Sequence, residues 1–390
     1  MPPLFPAHRR PLAGASPTSV PARTQHFRSG AGVLTLFLLI VLGLALVGLL
    51  LAISLALGSR ALPLPDVIRA LVSPDDSVAS VIVWELRLPR ALAALLVGSG
   101  LAVAGVLMQS LTRNPLAEPG LLGVNAGAAL AVVVGAAVLG IGSLSGRLWL
   151  ACLGAAGAAL LVGWIGLGRH SPSTDPLAHL LLTGLALSAC AGAVTGSITM
   201  FNSSAFDSHR FWVVGSLTER TYEQVGAVAP LIVLGLVLGM LVIKPLDALL
   251  MGEDAAAALG VPVGQVRLLT LLAITLLCGG ATALAGPIGF VGLVVPHALR
   301  LLVGSSIKRV LPLSLLFGAL LVLIADVIGR LVLAPAELEV GIVTALIGAP
   351  VLLILVLRRE RPRSCPAARR LSRYSQQVGV LGSRQEGDRA

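Results

Sequence analysis

The sequence predicts an all-α polytopic membrane protein with about ten transmembrane helices, and three observations carry the prediction. Only 12% of the 390 residues are charged, against roughly 25% in soluble domains, and mean hydropathy is +0.95. There are 44 glycines, a residue more frequent in transmembrane helices than in soluble ones. Apolar runs such as VLTLFLLIVLGLALVGLLLAISLAL, from Val33 to Leu57, exceed the ~20 residues needed to cross a hydrocarbon core.

Taken in order, the apolar runs place spans near 33–57, 91–109, 120–140, 148–168, 178–200, 225–243, 268–285, 290–302, 311–332 and 340–357. The first run outlasts the apolar region of a cleaved signal, about 7–15 residues, and follows a polar leader, so it reads as a retained span. Hydropathy alone allows one run from Leu268 to Leu302. Pro287, within AGPIG at 285–289, removes a helical hydrogen bond and divides that run in two. Parity supports the division: Arg9, Arg10, Arg23 and Arg28 at one end, and Arg358, Arg359, Arg361 and Arg363 at the other, mark both tails as cytoplasmic. The number of crossings is then even. The short loops carry similar numbers of Lys and Arg on both sides, so the tails alone fix the orientation.

The membrane domain therefore covers 33–358, between basic tails 1–32 and 359–390 that hold too little apolar content to bury and are expected to be disordered. These tails account for much of the net charge of +10, and they point to membrane lipid as the neighbour rather than nucleic acid. Cys152, Cys190, Cys278 and Cys365 form no C-x-x-C pair, and three of them sit in apolar runs where cysteine acts as a small hydrophobe. Neither a disulfide framework nor a metal site is expected. Glycines four apart, at 123 and 127, 192 and 196, and 235 and 239, predict close helix packing.

Four polar features interrupt the apolar pattern. RNPLAEPGLLGVNAG, residues 113–127, joins the second and third spans on the cytoplasmic side. Pro115 and Pro119 stop helix continuation there, and Asn114 and Asn125 can satisfy the backbone groups thus freed. Taken alone it fits a tight polar hairpin or a non-helical element lining a water-filled path. The loop 244–267 has alanine-rich helix formers, Gly252 and Gly260 as stops, and Glu253 and Asp254 near a helix start. It predicts two short helices on the cytoplasmic face. Asp326 and Arg330 share one helix face and can neutralise each other, as a functional charge pair or as a structural one near the outer end. His297, beside Pro296, is expected to bond a nearby carbonyl. No P-loop, H-E-x-x-H or G-x-S-x-G motif occurs, so no nucleotide site, enzyme activity or cofactor is expected in this chain.

WELRLPRALAALLVGSGLAVAGVLMQSLTRNPLAEPGLLGVNAGA, from Trp84 onward, closely resembles permeases of the FecCD type, the membrane subunits of iron-siderophore, haem and cobalamin ABC importers. The resemblance continues through GSLTE (215–219), GEDAAAALGVPV (252–263), ALAGPIGFVGLVVPHALRLLVG (283–304) and ADVIGRLVLAPAELEVGIVTALIGAP (325–350). It implies the type II ABC importer permease architecture: ten helices, a second permease subunit that is a copy or a relative, two cytoplasmic ATP-binding subunits, and an extracytoplasmic substrate-binding protein. A ferric siderophore is the expected cargo, with haem or cobalamin as alternatives. An ion-coupled secondary transporter, which would need Asp326 as its intramembrane acid, is the rival reading.

By position, the resemblance implies cytoplasmic gate roles for Asn114 and Leu116, and ATPase coupling for the loop bearing Glu253, Asp254 and Gly260. A second gate element of the family precedes the fifth helix, where this chain has Leu177 and Ala178 in place of small hydroxyl residues. In cobalamin members, arginines at the positions of Arg87, Arg90 and Arg330 receive glutamates from the binding protein. The resemblance implies the same docking role here, against the alternative that these arginines anchor helix ends at lipid headgroups.

Overall fold

Ten apolar helices cross one another in a single bundle in the computed structural model, which describes residues 29–58, 62–166 and 176–359. They are α1 (Ser29–Ala56), α2 (Leu88–Leu111), α3 (Val124–Val138), α4 (Leu144–Gly166), α5 (Pro176–Phe201), α6 (Tyr222–Leu241), α7 (Val263–Ala285), α8 (Val291–Val303), α9 (Ile307–Val332) and α10 (Val340–Arg359). Seven of the spans are long and apolar enough to cross a membrane, and α3, α8 and α10 are shorter apolar helices. No strand occurs among the described residues. The expected disorder of the tails, and Cys365, lie outside the described residues, although α1 already begins at Ser29.

For orientation, the face on which α1 begins is called proximal and the opposite one distal. α2 is the hub, buried almost continuously from Val97 to Leu111 and packed against α6, α7, α8 and α9. Glycine allows these crossings. A Cβ on Gly98 would overlap the Gly318 carbonyl of α9, and one on Gly105 would overlap the Gly292 carbonyl of α8. Of the glycine pairs read from the sequence, Gly127 packs on Gly154, and Gly235 and Gly239 pack on Leu277 and Leu107. Gly192 and Gly196 face open space within this chain. α1 lies at the edge, its central window only 6% buried, in contact mainly with α9.

The division of the 268–302 run falls where Pro287 places it. α7 ends at Ala285, Gly286 (φ +75°) and Phe290 (φ +67°) turn the chain, and α8 restarts at Val291. With thirteen residues, α8 is only about 20 Å long, so it cannot cross the hydrocarbon core. Its first turn sits deep instead: an added Cβ on Gly292 would meet the Leu101 carbonyl and the Gly105 Cα, well inside α2. Irregular backbone at this depth is sustained because protein, not lipid, surrounds it; Ile288 and Val291 are buried.

Candidate functional site

Three clusters gather the polar residues. The first is the turn after α2. Thr112 ends the helix, Arg113 adopts φ +51°, and the Asn114 side chain accepts from the Leu116 backbone N–H at 3.0 Å. Asn114 thus works as a turn former, and both it and Leu116 are exposed. The chain then climbs back into the bundle through a 3-10 turn, Pro119–Leu122, to the start of α3. Glu118 accepts from the Phe290 N–H at 3.0 Å, and Asn125 accepts from the Thr282 hydroxyl at 2.8 Å. The stretch is neither a simple hairpin nor wholly solvated. Its tip is open, and its second half is packed against the α7–α8 break.

The second cluster is the proximal loop between α6 and α7. It forms the two short helices expected, Ile243–Leu249 and Glu253–Ala258. Gly252 (φ +116°) and Gly260 (φ +79°) make the turns, in a region of backbone space that side chains rarely adopt. Glu253 pairs with Arg267 at the base of α7, whereas Asp254 is exposed. Met251 and Leu259 are 66% and 65% exposed, so this face offers apolar side chains and small alanines that no other described part of the chain covers.

The third cluster lies at the distal face and unites residues far apart in sequence. Asp326, with no exposed side-chain area, pairs through Oδ1 with Arg90 Nε at 2.8 Å and through Oδ2 with Arg330 Nη2 at 2.8 Å. Arg90 also reaches Glu337 at 2.6 Å. The expected i,i+4 pair of Asp326 and Arg330 is therefore present, inside a larger network. Arg330 donates further to the Ser54 and Leu57 carbonyls at 3.1 and 3.2 Å, and Arg87 donates to the Leu55 carbonyl at 2.6 Å. Cations here satisfy the last carbonyls of α1, which have no partner within the helix.

Arg87 precedes α2 in a short π-helix, Ile82–Arg87. Pro89 has no N–H to offer the Glu85 carbonyl, and the Leu88 N–H bonds Val83 five residues back. The three arginines line one cleft of about 420 Å³ together with Glu85, Glu219, Arg220 and Glu337. Arg87 and Arg330 are only 6% and 3% exposed, so much of their hydrogen-bonding capacity is spent within the chain. Burial pulls the Arg220 guanidinium below the usual arginine value, against the opposing pull of Glu339 and Glu219. Arg220 and Glu337 escaped the sequence reading because their neighbours in the cleft come from distant segments, and Arg220 precedes the helix that carries Glu223 three residues on. No group of three or more His, Cys, Asp or Glu side chains that could hold a metal occurs among the described residues.

Comparison with known proteins agrees with this architecture. The model of the FecCD transport family matches residues 44–358. The ferric enterobactin transport system permease protein FepD of Escherichia coli is 44% identical over 310 residues, covering 80% of this chain and 92% of FepD. The vitamin B12 import system permease protein BtuC of Salmonella paratyphi A is 39% identical, over 74% of this chain and 89% of BtuC. A solved structure described as an inward-facing metal-chelate type ABC transporter superposes with a TM-score of 0.72 at 31% identity, over 82% of this chain and 98% of that one.

Proposed function

The chain belongs to the FecCD transport family and is a permease of a metal-chelate ABC importer; from that premise we propose that its cargo is a ferric siderophore, moved by alternating access. The siderophore assignment rests on one observation, the 44% identity to a ferric enterobactin permease across 92% of that protein. In this reading the proximal face is cytoplasmic and both termini lie there. The loop bearing Glu253, Asp254 and Gly260 meets an ATP-binding subunit. Asn114 and Leu116 contribute to the cytoplasmic gate against a second permease subunit. Arg87, Arg90 and Arg330 form the floor on which an extracytoplasmic binding protein docks.

The permease performs no bond chemistry. ATP bound and hydrolysed by partner subunits favours one arrangement of the bundle over the other, and the chelate crosses as the two gates exchange states. Ion coupling is disfavoured by the setting of Asp326, which is neutralised by two arginines and sits at the distal end of α9 rather than at the midplane. Reconstitution with the ATP-binding subunits and binding protein tests the reading. ATP-dependent uptake of ferric enterobactin without an ion gradient, in preference to haem and cobalamin, is the expected result; uptake that requires a proton or sodium gradient instead would overturn it.

A further inference from the structure

The stretch 113–125 touches more of the protein than a gate turn requires. At its first end the Arg113 guanidinium donates to the Leu249 carbonyl at 2.7 Å. That carbonyl ends the helix Ile243–Leu249 and also accepts from the Gly252 N–H at 3.1 Å, so Arg113 is a second donor to it. The Arg113 backbone is itself left-handed (φ +51°), a conformation that costs a non-glycine residue roughly 1–3 kcal/mol and persists only where surroundings impose it. At the second end Glu118 accepts from the Phe290 N–H at 3.0 Å. Phe290 is also left-handed (φ +67°) and is the residue from which α8 starts. A carboxylate there complements the positive end of the α8 dipole. Phe290 in turn lies against Gly348 of α10, where an added Cβ would collide with its ring.

We propose that Arg113 and Glu118 are the two ends of a strap that ties the helix Ile243–Leu249 to the α7–α8 break, so that the turn carrying Asn114 and Leu116 moves with the ATPase-facing loop. Both are positioning residues. The inference rests on the coupling role proposed above for 244–267. Between the two anchors lie four residues, Asn114 to Ala117, closed into a turn by the Ala117 N–H on the Asn114 carbonyl at 3.1 Å and the Leu116 N–H on the Asn114 side chain at 3.0 Å. That bonded turn is what carries a displacement from one end to the other. Coupling requires that perturbing one end change the response at the other.

The experiment reads that response without a cargo. A cysteine at Leu116 (Leu116→Cys), with the native cysteines replaced by alanine, is labelled with bimane in the transporter assembled with its ATP-binding subunits. Emission is recorded before and after trapping with ATP and vanadate. Trapping is expected to shift the emission. Arg113→Ala and Glu118→Ala should each reduce that shift at least about fivefold, the lower end of typical intersite couplings. Glu118→Gln, which keeps an acceptor for the Phe290 N–H, should retain it, and the double alanine variant should fall no further than the lower single one. Vanadate-trapped nucleotide, measured in parallel, should be equal in all variants, so a misfolded assembly is recognised. An undiminished shift in both alanine variants would overturn the strap alone, and so would a Glu118→Gln shift as small as that of Glu118→Ala. A parent protein that does not respond to trapped nucleotide would overturn the ATPase-driven reading and the strap with it.

Discussion

Arg90 and Asp326 stand 236 positions apart in the chain and meet at 2.8 Å, guanidinium Nε to carboxylate Oδ1, with no solvent-exposed area on the aspartate side chain. The same carboxylate holds Arg330 from its own helix. Removing it would leave Arg330 with neutral acceptors only and Arg90 with Glu337 alone, a loss of up to about 3–5 kcal/mol, the cost of a broken buried pair. Asp326→Ala is therefore expected to lower the melting temperature of the detergent-purified permease markedly, whereas Asp326→Asn, which keeps an acceptor, loses less. Equal melting temperatures for Asp326→Ala and the parent would show the network to be energetically idle.

α1 depends on arginines at its distal end. Arg330→Met keeps the apolar stem but frees Ser54 and Leu57. A loss of about 1–3 kcal/mol is expected from the unsatisfied groups. Hydrogen exchange should rise at residues 50–57 and stay unchanged in α3 and α4, which pack elsewhere.

Gly260 takes φ +79° with nothing near enough to hinder a side chain. Gly260→Leu therefore strains the backbone by about 1–2 kcal/mol without a steric clash inside the chain. The permease should fold, but the turn shifts the loop proposed to meet the ATPase, so ATP-driven uptake should fall about tenfold or more. Gly260→Asn, tolerated in this conformation, should recover most of the uptake. Normal uptake by the leucine variant would separate this loop from coupling.

Binding-protein docking is best probed at Arg87, which lines the distal cleft and donates to the Leu55 carbonyl. Arg87→Gln removes the charge and keeps a donor. Affinity for the binding protein, measured by surface plasmon resonance on nanodiscs, should weaken about fivefold or more at low ionic strength and approach the parent value at high salt, where rim charges are screened. A difference independent of salt would assign Arg87 to holding α1 rather than to docking.

In the turn proposed as the gate, Asn114→Ala deletes the acceptor that turns the backbone toward Leu116. The net loss in stability should be only about 1 kcal/mol. Leak of a fluorescent solute from proteoliposomes should nevertheless increase, since the tip is exposed and its shape depends on that bond. A leak identical to the parent would leave the residue a turn former and nothing more.

Composition and run length were enough to mark the seven long helices, because crossing a bilayer imposes a length and an apolarity that such a segment satisfies on its own. Pro287 marked the α7–α8 break for a similarly local reason, and so did Gly252 and Gly260 in the proximal loop. The i,i+4 spacing disclosed Asp326 with Arg330, yet nothing local joined them to Arg90, Glu337 or the end of α1. Those contacts arise only when α1, α2 and α9 pack side by side. The same holds for Glu118 and Phe290: one stood in a conspicuous polar stretch and the other in an unremarkable apolar one, 172 positions away. Tertiary structure alone decided that they meet, because a half-buried carboxylate and a backbone N–H left out of the helical ladder come together only once α7, α8 and the 113–125 stretch have packed.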